Sequence, residues 1–306
     1  MIKPKKSLGQ NFLIDGKLVN RIIEAVAPQS RDLVVEIGPG KGVLTVQLAK
    51  RAGFVIAVEA DSRLVPGLRL IVPSDKAEIV EADALQVNWA ELVERGGQRL
   101  VERVAPEEPA GAERIQARVV ANLPYYISTA ILQRLISVRG SFLDMTLMLQ
   151  EEVVDRIISE PGGKEYGVLS VLSQFYCEVE KLFTVSPNAF KPAPKVQSAV
   201  IRLVPRKVPA ADVPDESWFF GVVKGAFSHR RKTLFNNLMA AQSIRLSAEV
   251  ERRGQSGPSD VTGKDRAIRI EQALRKTEID GRRRAETLSI GEFAALCAAL
   301  HAETIG

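Results

Sequence analysis

The feature that most restricts the fold is a rhythm along the first half of the chain. Short apolar runs recur at 33–37, 54–58, 77–80, 119–121 and 145–149, and each gives way to polar residues or glycine at its carboxyl end. Helix-length segments lie between them: 43–51, another after Asp61, one from Ser128 and an acidic start at Glu151. Strands spaced by helices predict a parallel, doubly wound α/β sheet. A basic arm and a helical pattern at 16–26 precede the first strand, and 179–185 with 198–204 read as a closing antiparallel pair. Residues 96–117, rich in Gly, Pro, Glu and Ala, read as an exposed insertion. Residues 205–214 read as a linker, and beyond it 217–238 and 290–300 have helical spacing with no strand signal between. The expected domains are therefore 1–205, built on the sheet, and 206–306, small and α-helical.

Composition serves to exclude. Over 306 residues, 45% hydrophobic and 26% charged, the chain has a globular balance, unlike a disordered tail or a collagen-like fibre. No run of 18 apolar residues marks a membrane span, and the start lacks the apolar stretch of a secretory signal. Two cysteines, Cys177 and Cys297, without a C-x-x-C argue against a disulfide framework or a cysteine zinc site. Two histidines, His229 and His301, do not make a poly-His centre, so no metal site is expected. The net charge of +5 is unevenly placed: 206–306 hold 17 Lys and Arg against 13 Asp and Glu. The excess clusters at Arg230, Arg231 and Lys232, and at Arg282, Arg283 and Arg284, which form either a solvated face or candidate contacts to nucleic-acid phosphates.

In open α/β sheets ligands bind at the carboxyl ends of strands. There the sequence places Glu36-Ile37-Gly38-Pro39-Gly40-Lys41-Gly42, Glu59, Asp83 and Asn122. A carboxylate 21 positions beyond Gly38 suits a ribose diol. The glycine spacing is G-x-G-x-G, with Val43 where a dinucleotide fingerprint needs its last glycine. Glu59 on a ribose and Asp83 on an adenine amine, without a pyrophosphate loop, suit S-adenosylmethionine better than NAD. The Asn122-Leu123-Pro124-Tyr125 turn adds chemistry. An aromatic amine is a poor nucleophile, because its lone pair is delocalised into the ring. The Asn122 side-chain carbonyl and the Leu123 backbone carbonyl would take its two N–H bonds and aim the lone pair. Pro124 stiffens the turn, and Tyr125 offers a ring to an extruded base. Phe190, in a proline-rich loop, is the candidate for the other face of that base.

Together these residues resemble the KsgA/RsmA family of bacterial ribosomal RNA small-subunit adenine dimethyltransferases. The resemblance rests on six motifs in order: S-L-G-Q-N-F-L from Ser7, E-I-G-P-G-K-G, N-L-P-Y-Y-I-S-T, A-F-K-P-A-P-K-V, A-F-S-H-R-R-K-T-L-F-N-N-L and R-A-E-T-L-S from Arg284. It implies a Rossmann-like methyltransferase domain and a helical C-terminal domain. It also implies cofactor contacts at Asn11, Leu13, Gly38, Glu59, Asp83 and Asn122, with Asn11 and Leu13 on an arm that folds over the cofactor and is mobile without it. The implied reaction moves four methyl groups onto two adjacent adenosines in the 3′-terminal hairpin of 16S rRNA, within the 30S subunit or its precursor. The arm motif starts at Ser7 and leaves no room for a transit peptide, so a bacterial cytoplasmic protein, acting as a monomer, is expected. The 96–117 segment is longer than the resemblance leads one to expect. Three other readings compete: a large-subunit rRNA methylase, an RNA-binding factor without catalysis, and an NAD oxidoreductase. The intact turn and the broken glycine spacing disfavour the last two.

Overall fold

The computed structural model describes residues 3–5, 8–104, 115–241 and 263–305. The elements run β1 (Phe12–Leu13), α1 (Gly16–Val26), β2 (Leu33–Ile37), α2 (Val43–Ala49), β3 (Phe54–Glu59), α3 (Val65–Ile71), β4 (Ala77–Glu81), α4 (Trp89–Val104), β5 (Ala117–Asn122) and α5 (Ser128–Ser137). They continue with β6 (Phe142–Gln150), α6 (Glu151–Ile158), α7 (Val168–Tyr176), β7 (Cys177–Val185), β8 (Phe190–Lys191), β9 (Ser198–Pro205), α8 (Glu216–Ala226), α9 (Leu234–Ala240), α10 (Gly263–Lys276) and α11 (Ile290–Ile305).

Seven strands form one sheet in the order β4-β3-β2-β5-β6-β9-β7. β4, β3, β2, β5 and β6 are parallel, and β9 runs antiparallel to β6. The order reverses at β2: the chain goes outward to β3 and β4, then returns to β5 on the other side. Such a switch point opens a crevice at the carboxyl ends of the two central strands. β2 and β3 are buried along their whole length because helices cover both faces. On one face Ile22 and Ile23 of α1 and Leu44 and Leu48 of α2 pack with Val34, Val55 and Val120. On the other lies α4.

That last helix corrects the expected insertion. Residues 96–104 are the second half of α4, and Gly96 and Gly97 are buried. A Cβ on Gly96 would stand 2.4 Å from the Ile56 Cδ1 and 3.1 Å from the Leu33 Cδ1. The glycine pair, read from sequence as loop punctuation, lets the helix backbone lie against the sheet. Residues 105–114 of the segment lie outside the described residues.

The chain divides into two compact units, Met1–Val154 with Glu178–Pro205, and Asp155–Cys177 with Arg206–Gly306. This differs from the expected 1–205 and 206–306: residues 155–177 group with the helices. The reason is aromatic packing, with Phe175 of α7 stacked on Phe219 of α8 at 4.7 Å. The single helical pattern expected over 217–238 is two helices, α8 and α9, and α7 and α10 add to the expected elements. Buried Asn237 holds the turn between α8 and α9, donating to the carbonyls of Ala226 (2.6 Å) and His229 (3.0 Å). No helix among the described residues is long and apolar enough to cross a membrane.

Candidate active site at the strand ends

Sheet register assembles the site. Ile37 pairs with Val58 on one side and Ala121 on the other, so Gly38, Glu59 and Asn122 follow at the same level of three adjacent strands. Glu59 pairs with Glu81, which sets Asp83 just beyond the same edge. One cleft is lined by all six expected cofactor residues and by Leu123, Pro124 and Tyr125.

The glycine loop turns by left-handed backbone at Gly38 (φ 70°), Gly40 (φ 58°) and Gly42 (φ 80°), a region closed to most side chains. The Gly42 amide donates to the Pro39 carbonyl at 2.8 Å, and α2 starts at the next residue. Glu59 is braced by this loop: its carboxylate accepts from the Gly40 amide at 3.0 Å and from the Asp61 amide at 2.8 Å. Each oxygen keeps a further acceptor position, as a ribose diol requires. Burial raises the Glu59 pKa, opposed by these backbone donors. Beneath it Glu36 is 2% exposed, and one of its oxygens has no hydrogen-bond partner. Burial pushes Glu36 up to about 8, with the Glu59 charge acting in the same direction and the Thr45 hydroxyl against it. Asp83 is exposed; one of its oxygens accepts from the Leu85 amide at 2.9 Å.

Asn122 donates its amide N–H to the Asn11 carbonyl at 3.3 Å. With the nitrogen so committed, the amide oxygen is left as an acceptor at the cleft. The Leu123 side chain is buried and its amide donates to the Met148 carbonyl at 3.2 Å, fixing the turn from below. The Ile127 amide donates to the Pro124 carbonyl at 3.2 Å and closes it. Tyr125 is half-buried, with its phenol 2.6 Å from the Ser198 hydroxyl on β9. Burial raises the phenol pKa, so the ring stays neutral.

The described residues of the arm are seated at several points. The Gln10 side chain donates to Asp61 at 2.9 Å and accepts from the Lys5 amide at 2.8 Å. The Phe12 ring lies against Gly40, with the Lys41 ammonium 4.8 Å from its centroid. β1 pairs antiparallel with β8, Leu13 opposite Phe190, and the Ile14 amide donates to the Ala189 carbonyl at 2.9 Å. The Leu13 side chain is buried and borders the cleft.

The pairing also corrects Phe190. Its ring is 3% exposed and packs in the core with Leu13, Leu18 and Val185, so neither face is open to a base. Tyr126, which sequence reasoning passed over, is 59% exposed and lines the cleft. Its position directly after the Asn122–Tyr125 turn was the available signal. Gln10 and Asp61 were missed as well. Buried Asp61 also takes a two-pronged contact from Arg63 at 2.6 and 2.8 Å, which holds its pKa well below the usual carboxylate range.

The expected RNA-contacting residues divide by their partners. Arg231 and Lys232 are exposed, with no ion-pair partner among the described residues. Arg230 donates to the Lys164 carbonyl and lies 3.8 Å from Glu286. Arg282 pairs with Asp280 at 3.1 Å yet stays exposed, and Arg284 lies 4.0 Å from Glu286. Arg283 is a correction: it pairs with Glu292 and donates to Thr287, which makes it a strut between the 280–287 turn and α11.

Residues 1–256 match the family described as ribosomal RNA adenine dimethylase. The chain belongs to that family. Two relatives named ribosomal RNA small subunit methyltransferase A are each 43% identical to it. The one from Bacillus licheniformis aligns over 95% of this chain and 89% of its own length, the one from Geobacillus kaustophilus over 97% and 90%. The crystal structure of a dimethyladenosine transferase from Plasmodium falciparum, 24% identical, shares the fold, with a TM-score of 0.71 over 93% of this chain and 95% of that one. The structure of the 23S rRNA methyltransferase ErmE is 25% identical, with a TM-score of 0.62 over 95% and 100%. As a ribosomal RNA adenine dimethylase, the chain is a Rossmann-like enzyme that uses S-adenosylmethionine to methylate adenine in ribosomal RNA.

Proposed function

We propose that this adenine dimethylase acts on the small ribosomal subunit or its precursor, converting two adjacent adenosines of the 3′-terminal 16S hairpin to their N6,N6-dimethyl forms. It does so as a cytoplasmic monomer. The observation that carries the chemistry is the committed Asn122 amide: its nitrogen is held by Asn11, which leaves an oxygen acceptor at the strand end. The small-subunit assignment is supported by 43% identity to relatives bearing that name, against 25% to ErmE.

S-adenosylmethionine, when bound, supplies an electrophilic methyl on a sulfonium. The cleft fits it: a braced Glu59 carboxylate for a diol, Asp83 for an amine, and a glycine loop whose backbone is exposed to a ligand. The chain's residues then act on the adenine. Asn122 Oδ1 and the Leu123 carbonyl accept the two amine hydrogens and return the lone pair to nitrogen. Each transfer breaks the carbon–sulfur bond of the donor to leave a neutral thioether, and the surplus amine proton passes to solvent water. After the first methylation one hydrogen remains, so one acceptor is engaged while a methyl occupies the place of the other hydrogen. Tyr125, its ring held by Ser198, presents a π face to a base that gains positive charge during transfer. The cleft is lined by neither Cys nor His, so the methyl passes directly from donor to amine without an enzyme-bound intermediate.

The test is methylation of unmodified small and large subunits with labelled donor, followed by mapping. Dimethylation at two adjacent small-subunit adenosines is expected. Label confined to large-subunit RNA overturns the substrate assignment.

A further inference from the structure

The helical unit contains a second cavity, of about 320 Å³, remote in sequence from the strand-end motifs. Three stretches converge on it: 156–168, the A-F-S-H-R-R-K motif and the R-A-E-T-L-S motif. Its wall includes Tyr166 and Phe227, whose rings meet edge to face at 6.1 Å. Its rim carries Arg156, Lys164, His229 and Arg230. Two carboxylates also lie there, but their pairings are long and partly exposed: Arg156 to Glu165 at 3.9 Å, Arg230 to Glu286 at 3.8 Å. Exposed pairs of that kind contribute little and exchange readily for another anion. Lys164 has no ion-pair partner among the described residues, which leaves the rim with a surplus of positive charge.

The wall holds an anomaly. Tyr166 is 5% exposed, and its hydroxyl is buried without a hydrogen-bond partner. Leaving such a group unsatisfied is destabilising, and buried polar atoms in native proteins normally have partners. Burial and the charges of Glu160 and Glu292 push its pKa above the ordinary value, so it remains a neutral hydroxyl able to donate or accept.

We propose that this cavity takes one unstacked nucleotide of the ribosomal RNA, other than the adenosines being methylated. The base enters against Phe227 and the edge of Tyr166, a local opening of that wall brings the buried Tyr166 hydroxyl into hydrogen-bond reach, and the phosphate is left among the cations of the rim. Aromatic wall plus cationic rim is the combination by which proteins hold single-stranded RNA, and a volume near 300 Å³ is ample for one base. The site gives the enzyme a second, structure-specific grip, so that the target hairpin is engaged only when a distant unpaired nucleotide is presented at the same time. This inference rests on the small-subunit reading above.

The experiment compares the full-length protein with Tyr166→Phe and Lys164→Ala. Three quantities are measured on unmodified small subunits: binding, dimethylation, and the chemical reactivity of rRNA nucleotides with and without enzyme. Wild type should protect one nucleotide outside the target hairpin. Tyr166→Phe should lose that protection and weaken subunit binding about 3- to 10-fold, with S-adenosylmethionine affinity unchanged and melting temperature equal or higher. Lys164→Ala should weaken binding and lower its salt dependence. A purely structural Tyr166 predicts equal binding and unchanged protection of rRNA nucleotides in Tyr166→Phe. Normal dimethylation with no dependence on Tyr166 overturns the second site alone. Weakened binding with no change in rRNA reactivity assigns the cavity to a ribosomal protein and overturns it too. Failure of wild type to methylate small subunits overturns the substrate reading, and this proposal with it.

Discussion

At Asn122 the amide nitrogen is held by a protein carbonyl, and the proposed function puts the substrate amine on its oxygen. Asn122→Ala removes both the acceptor and the tie to the arm. Turnover should fall by on the order of 2–4 kcal/mol in transition-state terms, read as kcat on unmodified subunits at saturating donor. Near-normal turnover would show that the Leu123 carbonyl suffices. Glu59→Ala should weaken S-adenosylmethionine binding by roughly 1.5–3 kcal/mol, measured by calorimetry, because the diol loses a charged acceptor. Glu36 carries a pH signature. Its carboxyl is raised from the ordinary 4.5 to about 8, so the folded state holds a proton that the unfolded chain releases. Its contribution to stability is full below about 4.5 and is lost as pH rises toward about 8. Melting temperature should decline across that window in wild type and be flatter in Glu36→Gln. Parallel curves would mean that Glu36 is ionised throughout.

Among the elements, the arm and α4 show how little sequence is needed to place a large structure. The arm reaches the sheet through Gln10 on Asp61, the Phe12 ring against Gly40, and the β1–β8 pair. Its binary pattern is too short to read, and its partners lie far along the chain, since Leu13 sits opposite Phe190. For α4, Gly96 decides the distance between helix and sheet. Gly96→Ala drives a methyl into the Ile56 and Leu33 side chains and should cost about 1–3 kcal/mol through overpacking. Chemical denaturation would read this as a lower midpoint at unchanged slope. An unaltered midpoint would mean that the helix backs away freely.

For the whole molecule, the charge excess in the C-terminal third has a narrower meaning than its count suggests. Arg283 is tied to Glu292, and Arg230 and Arg282 have acidic neighbours, whereas Arg231 and Lys232 project without an ion-pair partner among the described residues. Replacing those two by alanine should weaken subunit binding and reduce the slope of log K against log salt by roughly 0.7–0.9 for each phosphate that is no longer neutralised. Donor affinity should stay constant. An unchanged slope would make the cluster a solvated face.

The alternation of strands and helices, the positions of the strand ends, and the chemical identity of Gly38, Glu59, Asp83 and Asn122 are properties of local sequence. Apolar runs, glycines and isolated polar residues carry that information within a few positions of themselves. Hence the sheet and the strand-end residues of the cleft were readable without coordinates. What local sequence could not carry is which side chains the tertiary structure engages. Phe190 is withdrawn into the core by pairing with the arm. Arg283 is bound to Glu292. Residues 155–177 join the helices because Phe175 finds Phe219, and a glycine pair sits inside a helix because the sheet presses there. Each depends on a partner outside its own stretch of chain, and a residue's availability to a ligand is settled by that partner. The same holds for Tyr166, an ordinary residue in sequence, whose hydroxyl becomes informative only when folding buries it unpaired on the wall of a cavity.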